Sequence, residues 1–192
     1  MMVQNLTNCH VDDALHHMNQ AEHGAHFMII YPNLDMLREL YSNYIHKQIE
    51  ENNEIVLINP FYETTDSVRQ VLSEKYNDGM DSISKYEKES LLIADSLKEY
   101  LGNQPLVYIK KGLTNCAKMG KKGLSVLADL GAYPYKSKYK DLVDYELSLP
   151  TKYNVPMKGF CLYHQKDFDN LSDEQKQKLI EHHGEALKIT AA

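Results

Sequence analysis

HFMIIYPNLDMLRELYSNYIHKQI, residues 26–49, decides the fold of this chain. His26 to Tyr31 is an almost wholly apolar run of strand length. Pro32-Asn33 interrupts it, because proline removes a backbone donor and asparagine suits a helix N-cap. Leu34, Leu37, Tyr41, Tyr44, Ile45 and Ile49 then recur at helical spacing, with Asp35 where the positive end of a helix dipole favours a carboxylate. A strand, a tight turn and an amphipathic helix open a βαβ unit. In such units ligands gather at the C-terminal end of the strand, here Tyr31-Pro32-Asn33.

The same grammar continues downstream. Asn52-Asn53 closes the helix, and Glu54 to Asn59 (EIVLIN) reads as a buried parallel strand. Thr64-Thr65-Asp66 offers N-caps to a helix carrying Val68, Val71, Leu72 and Tyr76, with Asn77-Asp78-Gly79 as its stop. A polar loop is expected through Lys88, then a strand from Leu91 to Ala94 that ends at Asp95. Pro105 begins a helix with Leu106, Ile109, Leu113, Cys116 and Ala117 as its apolar stripe. Leu124 to Leu130 is a strand with Asp129 at its C-terminal end, and a helix follows from about Ser137 to Leu149. Lys158 to Tyr163 supplies another strand, then His164 and Asp167. Ser172 with Gln175 forms a capping box before a helix whose Leu179, Ile180 and His183 turn inward. Ala186 to Thr190 is the last strand. This pattern predicts an α/β fold, a mostly parallel sheet of about six strands with helices on both faces. Residues 1–22 are expected to form a helical extension, helical over Cys9–Gln20, ahead of a single α/β domain spanning 23–192.

Composition narrows the functions. A net charge of −6 argues against a nucleic-acid partner, and no apolar run approaches bilayer length. The first dozen residues, MMVQNLTNCHVD, lack the basic start and apolar middle of a signal peptide. Cys9, Cys116 and Cys161 are odd in number and scattered, which predicts reduced thiols and a cytoplasmic location. Gly120-Lys121-Lys122 is not a phosphate loop, because Asn115 stands where the motif needs glycine and Gly123 follows Lys122. Lys110, Lys111, Lys118, Lys121 and Lys122 read as a solvated helix face.

Two groups of residues stand out as candidates. His10, Asp13 and His17, at i, i+3 and i+7, present three ligating groups on one helical face but lack a recognised zinc spacing. They read as a polar helix with Asp12–His16 and Asp13–His17 pairs, so no metal and no cofactor is assigned. Glu146 is the more informative residue. It falls among Leu142, Val143 and Leu149 on the buried face of its helix, where a carboxylate must be paired, hydrogen-bonded or protonated. Both a structural tie to a neighbouring loop and a pocket role satisfy that demand. His26 enters the first strand, and Tyr31, Asn59, Asp95, Asp129, Tyr163 and His164 form a polar rim at strand ends. Together with Glu146 these are the candidate ligand-binding residues.

The order of several motifs resembles the MEDS family, a sensory domain of methanogens and methylotrophs, over about Gly24 to Ile189. The residues that carry the resemblance are His26 with Tyr31, Asn53-Glu54, Gly123 through Asp129, Tyr145-Glu146, and Cys161-Leu162-Tyr163 leading to Phe168. Asn53 stands where that family usually has glycine, and His164 where it more often has aspartate. The resemblance implies a RecA/KaiC-like domain whose nucleotide site has lost its phosphate loop, with Asp129 similar to the acidic residue that ends the magnesium-binding strand. It further implies non-enzymatic sensing of a small molecule, such as a hydrocarbon derivative, or an adaptor role. Output would then pass through a signalling partner or self-association. A divergent hydrolase using Asp129, Glu146 and His164 as acid/base groups is the alternative function.

Overall fold

The computed structural model describes residues 5–76, 79–101 and 105–191. Seven strands, all parallel, form a single sheet in the order β1-β7-β2-β6-β5-β3-β4. They are β1 (Thr7–Cys9), β2 (His26–Tyr31), β3 (Ile55–Asn59), β4 (Leu91–Ile93), β5 (Leu124–Asp129), β6 (Met157–His164) and β7 (Glu185–Ile189). Helices α1 (Val11–Gln20), α2 (Leu34–Glu50), α3 (Thr65–Lys75) and α4 (Gly79–Glu89) cover one face. The other face is covered by α5 (Ser96–Leu101), α6 (Pro105–Met119), α7 (Ala132–Tyr135), α8 (Tyr139–Ser148), α9 (Gln165–Asp169) and α10 (Asp173–His182). This is an α/β fold of the RecA-like type, with β2 near the middle of the sheet and buried along its whole length.

Local chemistry fixes the boundaries. Asn33 caps α2 by accepting from the Met36 amide at 3.0 Å, and Thr64 caps α3 by accepting from Ser67. The Ser172–Gln175 capping box opens α10 with both reciprocal bonds formed. Asn53, where the resembling family has glycine, takes φ +54°, a conformation that asparagine tolerates better than most residues. Period-two alternation then divides the strands between two cores. Phe27, Ile29 and Tyr31 face α1–α4, whereas Met28 and Ile30 face α5–α10.

Three expectations need correction. The stretch expected to be a polar loop through Lys88 contains α4, whose Ile83 anchors it to the sheet. Its charged residues hid a single buried contact, Ile83. Cys9 ends an edge strand instead of opening a helix. Thr7–Cys9 pairs with Leu187–Ile189, so the N-terminal segment belongs to the sheet, which has seven strands instead of six. The short α7 fills the turn after β5, where the sequence carries proline and three aromatic or small residues. Of the expected stop at Asn77-Asp78-Gly79, the first two residues lie outside the described residues, and Gly79 begins α4.

One buried ion pair ties the first helical face together. Lys158 Nζ lies 3.0 Å from Glu54 Oε1 and donates to Gln48 at 3.1 Å, while Ser125 donates to the second Glu54 oxygen at 2.7 Å. Tyr44 bonds Ser125 in turn, and His23 approaches Glu54 from the rim at 3.0 Å. Every charge here has a partner. Lys158→Met leaves Glu54 buried without its cation and is expected to lower unfolding free energy by about 3–5 kcal/mol. Adding Glu54→Gln to it should recover much of that loss. Urea denaturation of the single and double variants checks both values.

Candidate functional site

At the end of the sheet where such folds usually bind ligands, the β2–β6 side is filled by the protein itself, while an open cleft of about 300 Å³ remains after β3 and β4, lined by Pro60, Tyr62, Glu63 and Asp95. The crevice between the C-terminal ends of β2 and β6 is closed by Tyr31, whose ring meets His164 edge-on at 5.2 Å between centroids. Tyr31 and His164 are also register partners. The Tyr31 hydroxyl donates to Asp129 Oδ2 at 2.5 Å, and the Gly131 amide donates to Asp129 Oδ1 at 2.9 Å. Both carboxylate oxygens are thereby engaged. Tyr62 covers the other side of His164 and donates to Asp167 at 2.5 Å. Asn59 donates to the Ala94 carbonyl, and Asp95 accepts from the Lys98 amide as a helix cap. No glycine-rich backbone faces this crevice: the chain leaves β2 through Pro32 and an extended Asn33 directly into α2. Burial raises the Asp129 carboxyl to about 7, with the two hydrogen bonds opposing the shift.

The opposite end of the same strand carries different chemistry. His26 begins β2 and points to the face covered by α5–α10. There it meets Glu146 from α8, Cys161 from β6 and His183 from the turn after α10. All four are fully buried, and one ligating atom from each lies within 4.8 Å of the others. His183 Nε2 is 2.9 Å from Glu146 Oε2, close enough for an ion pair but not aligned as a hydrogen bond; neither carboxylate oxygen has a hydrogen-bond partner. His26 Nε2 is 4.0 Å from the same oxygen and 3.3 Å from Cys161 Sγ. Behind the rings, His26 Nδ1 donates to the Pro150 carbonyl at 3.0 Å and His183 Nδ1 to the Leu179 carbonyl at 2.6 Å.

Electrostatics follow from this packing. Burial pushes the Glu146 carboxyl up, but His183 and then His26 pull it back below its ordinary value. Burial, helped by the neighbouring His183, lowers His26 to about 4. Burial and then the Glu146 charge push both the Cys161 thiol and the Tyr163 hydroxyl well above their usual range. The Tyr163 hydroxyl is also buried without a hydrogen-bond partner.

Two spaces flank the cluster. An open cleft of about 670 Å³ is lined by His26, His182, His183 and Gly184, with Thr151 and Lys152 at its side. A smaller, mostly apolar cavity of about 190 Å³ has Glu146 and Cys161 in its wall beside Tyr100, Tyr145, Tyr153 and Ala128. The cluster therefore stands between an apolar cavity and an open cleft.

The structure divides the eight candidate residues. His26, Glu146 and Tyr163 come together on one face of the sheet, whereas Tyr31, Asp129 and His164 gather on the other, with Asn59 and Asp95 near the strand ends. The sheet thus separates Glu146 from Asp129 and His164. His183 is the partner that the sequence reading of Glu146 passed over. The signal was present, since His183 follows Leu179 and Ile180 on the inward stripe of α10, the same pattern that marks Glu146. The N-terminal histidines stay apart: His17 pairs with Glu185 at 2.8 Å, and the His10 amide bonds the Asp13 side chain. Among the described residues, no helix is long and apolar enough to cross a membrane. The fold is an α/β domain of RecA-like type, with the β2–β6 crevice closed by Tyr31 and His164. No family model matches the chain, and no curated protein matches it.

Asp129 makes a titration visible. Its folded value of about 7 lies above the ordinary 3.8, so the folded chain keeps a proton that the unfolded chain has released. That contribution favours folding at low pH and is lost as pH rises from about 4 to about 7. Asp129→Asn keeps an acceptor for Gly131 and cannot ionise. Its melting temperature relative to wild type is expected to be nearly unchanged at about pH 4 and clearly higher at pH 8. A constant difference across calorimetric scans between those values would show that Asp129 is ionised throughout.

Proposed function

We propose that this protein is a non-enzymatic small-molecule sensor or adaptor domain, and that its ligand binds in the apolar cavity beside Glu146 and Cys161. The observation that carries this reading is a largely apolar cavity of about 190 Å³ whose wall holds buried polar atoms without hydrogen-bond partners. An engineered apolar cavity of about 150 Å³ accommodates benzene, so a molecule of that size with one or two polar atoms is the fitting class. A hydrocarbon derivative, the class implied by the resemblance to MEDS domains, has this chemistry. The Tyr31–Asp129 bond supports the non-enzymatic part, because it occupies the carboxylate that a magnesium-nucleotide would need. Signalling would proceed through a partner protein or self-association, with α8, which bears Glu146 and packs against α10, as the element nearest the ligand.

Benzyl alcohol serves as a first probe. Binding to the folded state alone raises stability by about 2.7 kcal/mol at a hundredfold excess over Kd. Ala128→Leu fills the cavity and should abolish the rise while leaving the protein folded. Titration of the wild type with magnesium-ATP is expected to give no affinity tighter than about millimolar, because the chain leaves β2 through Pro32 and an extended Asn33, with no phosphate-cradling nest at that turn. Micromolar nucleotide affinity, with no response to the apolar probe, would replace the sensor reading with the enzymatic one.

A further inference from the structure

The two histidines of the buried cluster are fixed in one tautomer by their backbone partners. A carbonyl oxygen only accepts, so Nδ1 of His26 and Nδ1 of His183 both carry the proton. In the neutral rings Nε2 is then a lone pair: that of His26 faces the Cys161 thiol at 3.3 Å with Glu146 4.0 Å away, and that of His183 lies 2.9 Å from Glu146, itself an acceptor, without hydrogen-bond alignment. Two lone pairs and a carboxylate converge with no lysine or arginine among them. Something positive belongs at their centre.

We propose that His26 Nε2, His183 Nε2, Glu146 and Cys161 Sγ together hold one zinc-class divalent ion. The donor set of two imidazoles, one carboxylate and one thiolate suits a tetrahedral borderline-soft ion better than calcium or magnesium, which take oxygen ligands. Metal–ligand bonds of about 2.0–2.3 Å place neighbouring donors about 3.3–3.8 Å apart; three of the separations here are 2.9, 3.3 and 4.0 Å, and all four donors lie within 4.8 Å of one another, so small side-chain shifts close the set around an ion. Outer contacts of the required kind are already in place, since ligating histidines almost always give their other N–H to a carbonyl or carboxylate. Charge closes as well: a dication with one thiolate and one carboxylate is neutral, which removes the penalty of burying Glu146. On binding, the S–H bond of Cys161 breaks and its proton leaves to solvent while sulfur bonds the metal. The cleft lined by His26 and His183 gives the ion its way in. This site stands whether or not the neighbouring cavity takes an organic ligand.

Full-length protein, produced without an affinity tag and stripped with a chelator, is titrated with cobalt(II) and then with zinc. One cobalt per chain is expected, with the intense visible bands of tetrahedral cobalt and a near-ultraviolet thiolate-to-cobalt band, both displaced by zinc. Cys161→Ser should remove the thiolate band. His183→Gln should weaken binding by more than the roughly 10–100-fold that losing an outer partner costs. His10→Gln with His17→Gln should change neither property. Where a variant does not fold, the wild-type spectrum alone decides. A folded wild type that shows no thiolate band at saturating cobalt overturns the proposal, as does binding that disappears only with His10 and His17. A proton shared by His183 and Glu146 would then neutralise the cluster.

Discussion

A carboxylate with no exposure to water must be neutralised where it sits, and Glu146 imposes that demand on three distant parts of this chain. Its position on α8 is set by Leu142 and Val143, which dock the helix on the sheet and carry Glu146 inward with them. His26 from the first strand of the domain core and His183 from the end of the last helix come to it across the sequence. Neither ring is free to turn away, because the Pro150 and Leu179 carbonyls hold Nδ1. The loop after α8, the turn after α10 and the start of β2 are thus mutually constrained by one charge. A buried unpaired charge costs several kcal/mol, so relaxing any of these segments alone is unfavourable.

Strand β2 explains why the chemistry is at this end. Its alternation sends His26 to one face and Tyr31 to the other, one at each end of the strand. Folds of this kind normally leave the C-terminal end open, at the point where chain connections diverge to either side. Here the rings of Tyr31, His164 and Tyr62 pack edge-on and tilted into the β2–β6 side of that opening, and Asp129 is bonded twice. The larger cleft, of about 670 Å³, lies at the N-terminal end of β2 beside glycine-containing turns. Gly184 and Gly24 both lie there, and a Cβ at Gly24 would approach the Tyr153 carbonyl and Lys152 to about 3 Å.

Most of this architecture was legible from periodicity. β2, α2, β3, β5, β6 and the caps Asn33, Thr64 and Ser172 follow from apolar spacing and side-chain hydrogen bonding, which are local. The errors arose where long-range contacts decide. Thr7–Cys9 is too short and too polar to read as a strand, and it becomes one only because β7 offers an open edge. In α4 one buried residue, Ile83, is enough to hold a helix that looks like a loop. The candidate residues were legible one at a time, since each is a polar group on an apolar stripe. Their grouping was not, because sequence spacing does not reveal which face of the sheet a strand residue such as His26 takes relative to a distant helix such as the one bearing Glu146.

Another of the buried carboxylates, Glu54, makes an instructive contrast with Glu146. Glu54 is met by Lys158, Ser125 and His23, so that both oxygens accept good hydrogen bonds and a fixed cation balances the charge. That is how this chain solves burial when the requirement is only structural. Glu146 lies equally deep, yet it is given two imidazoles and a thiol, none of which carries a permanent positive charge. A lysine from the same sheet would have been the simpler neutraliser, as β6 shows by supplying Lys158 to the opposite face. Groups that ligate or exchange protons have been placed where a permanent cation would have served stability better. Arrangements of that kind sacrifice stability for a site that something else completes.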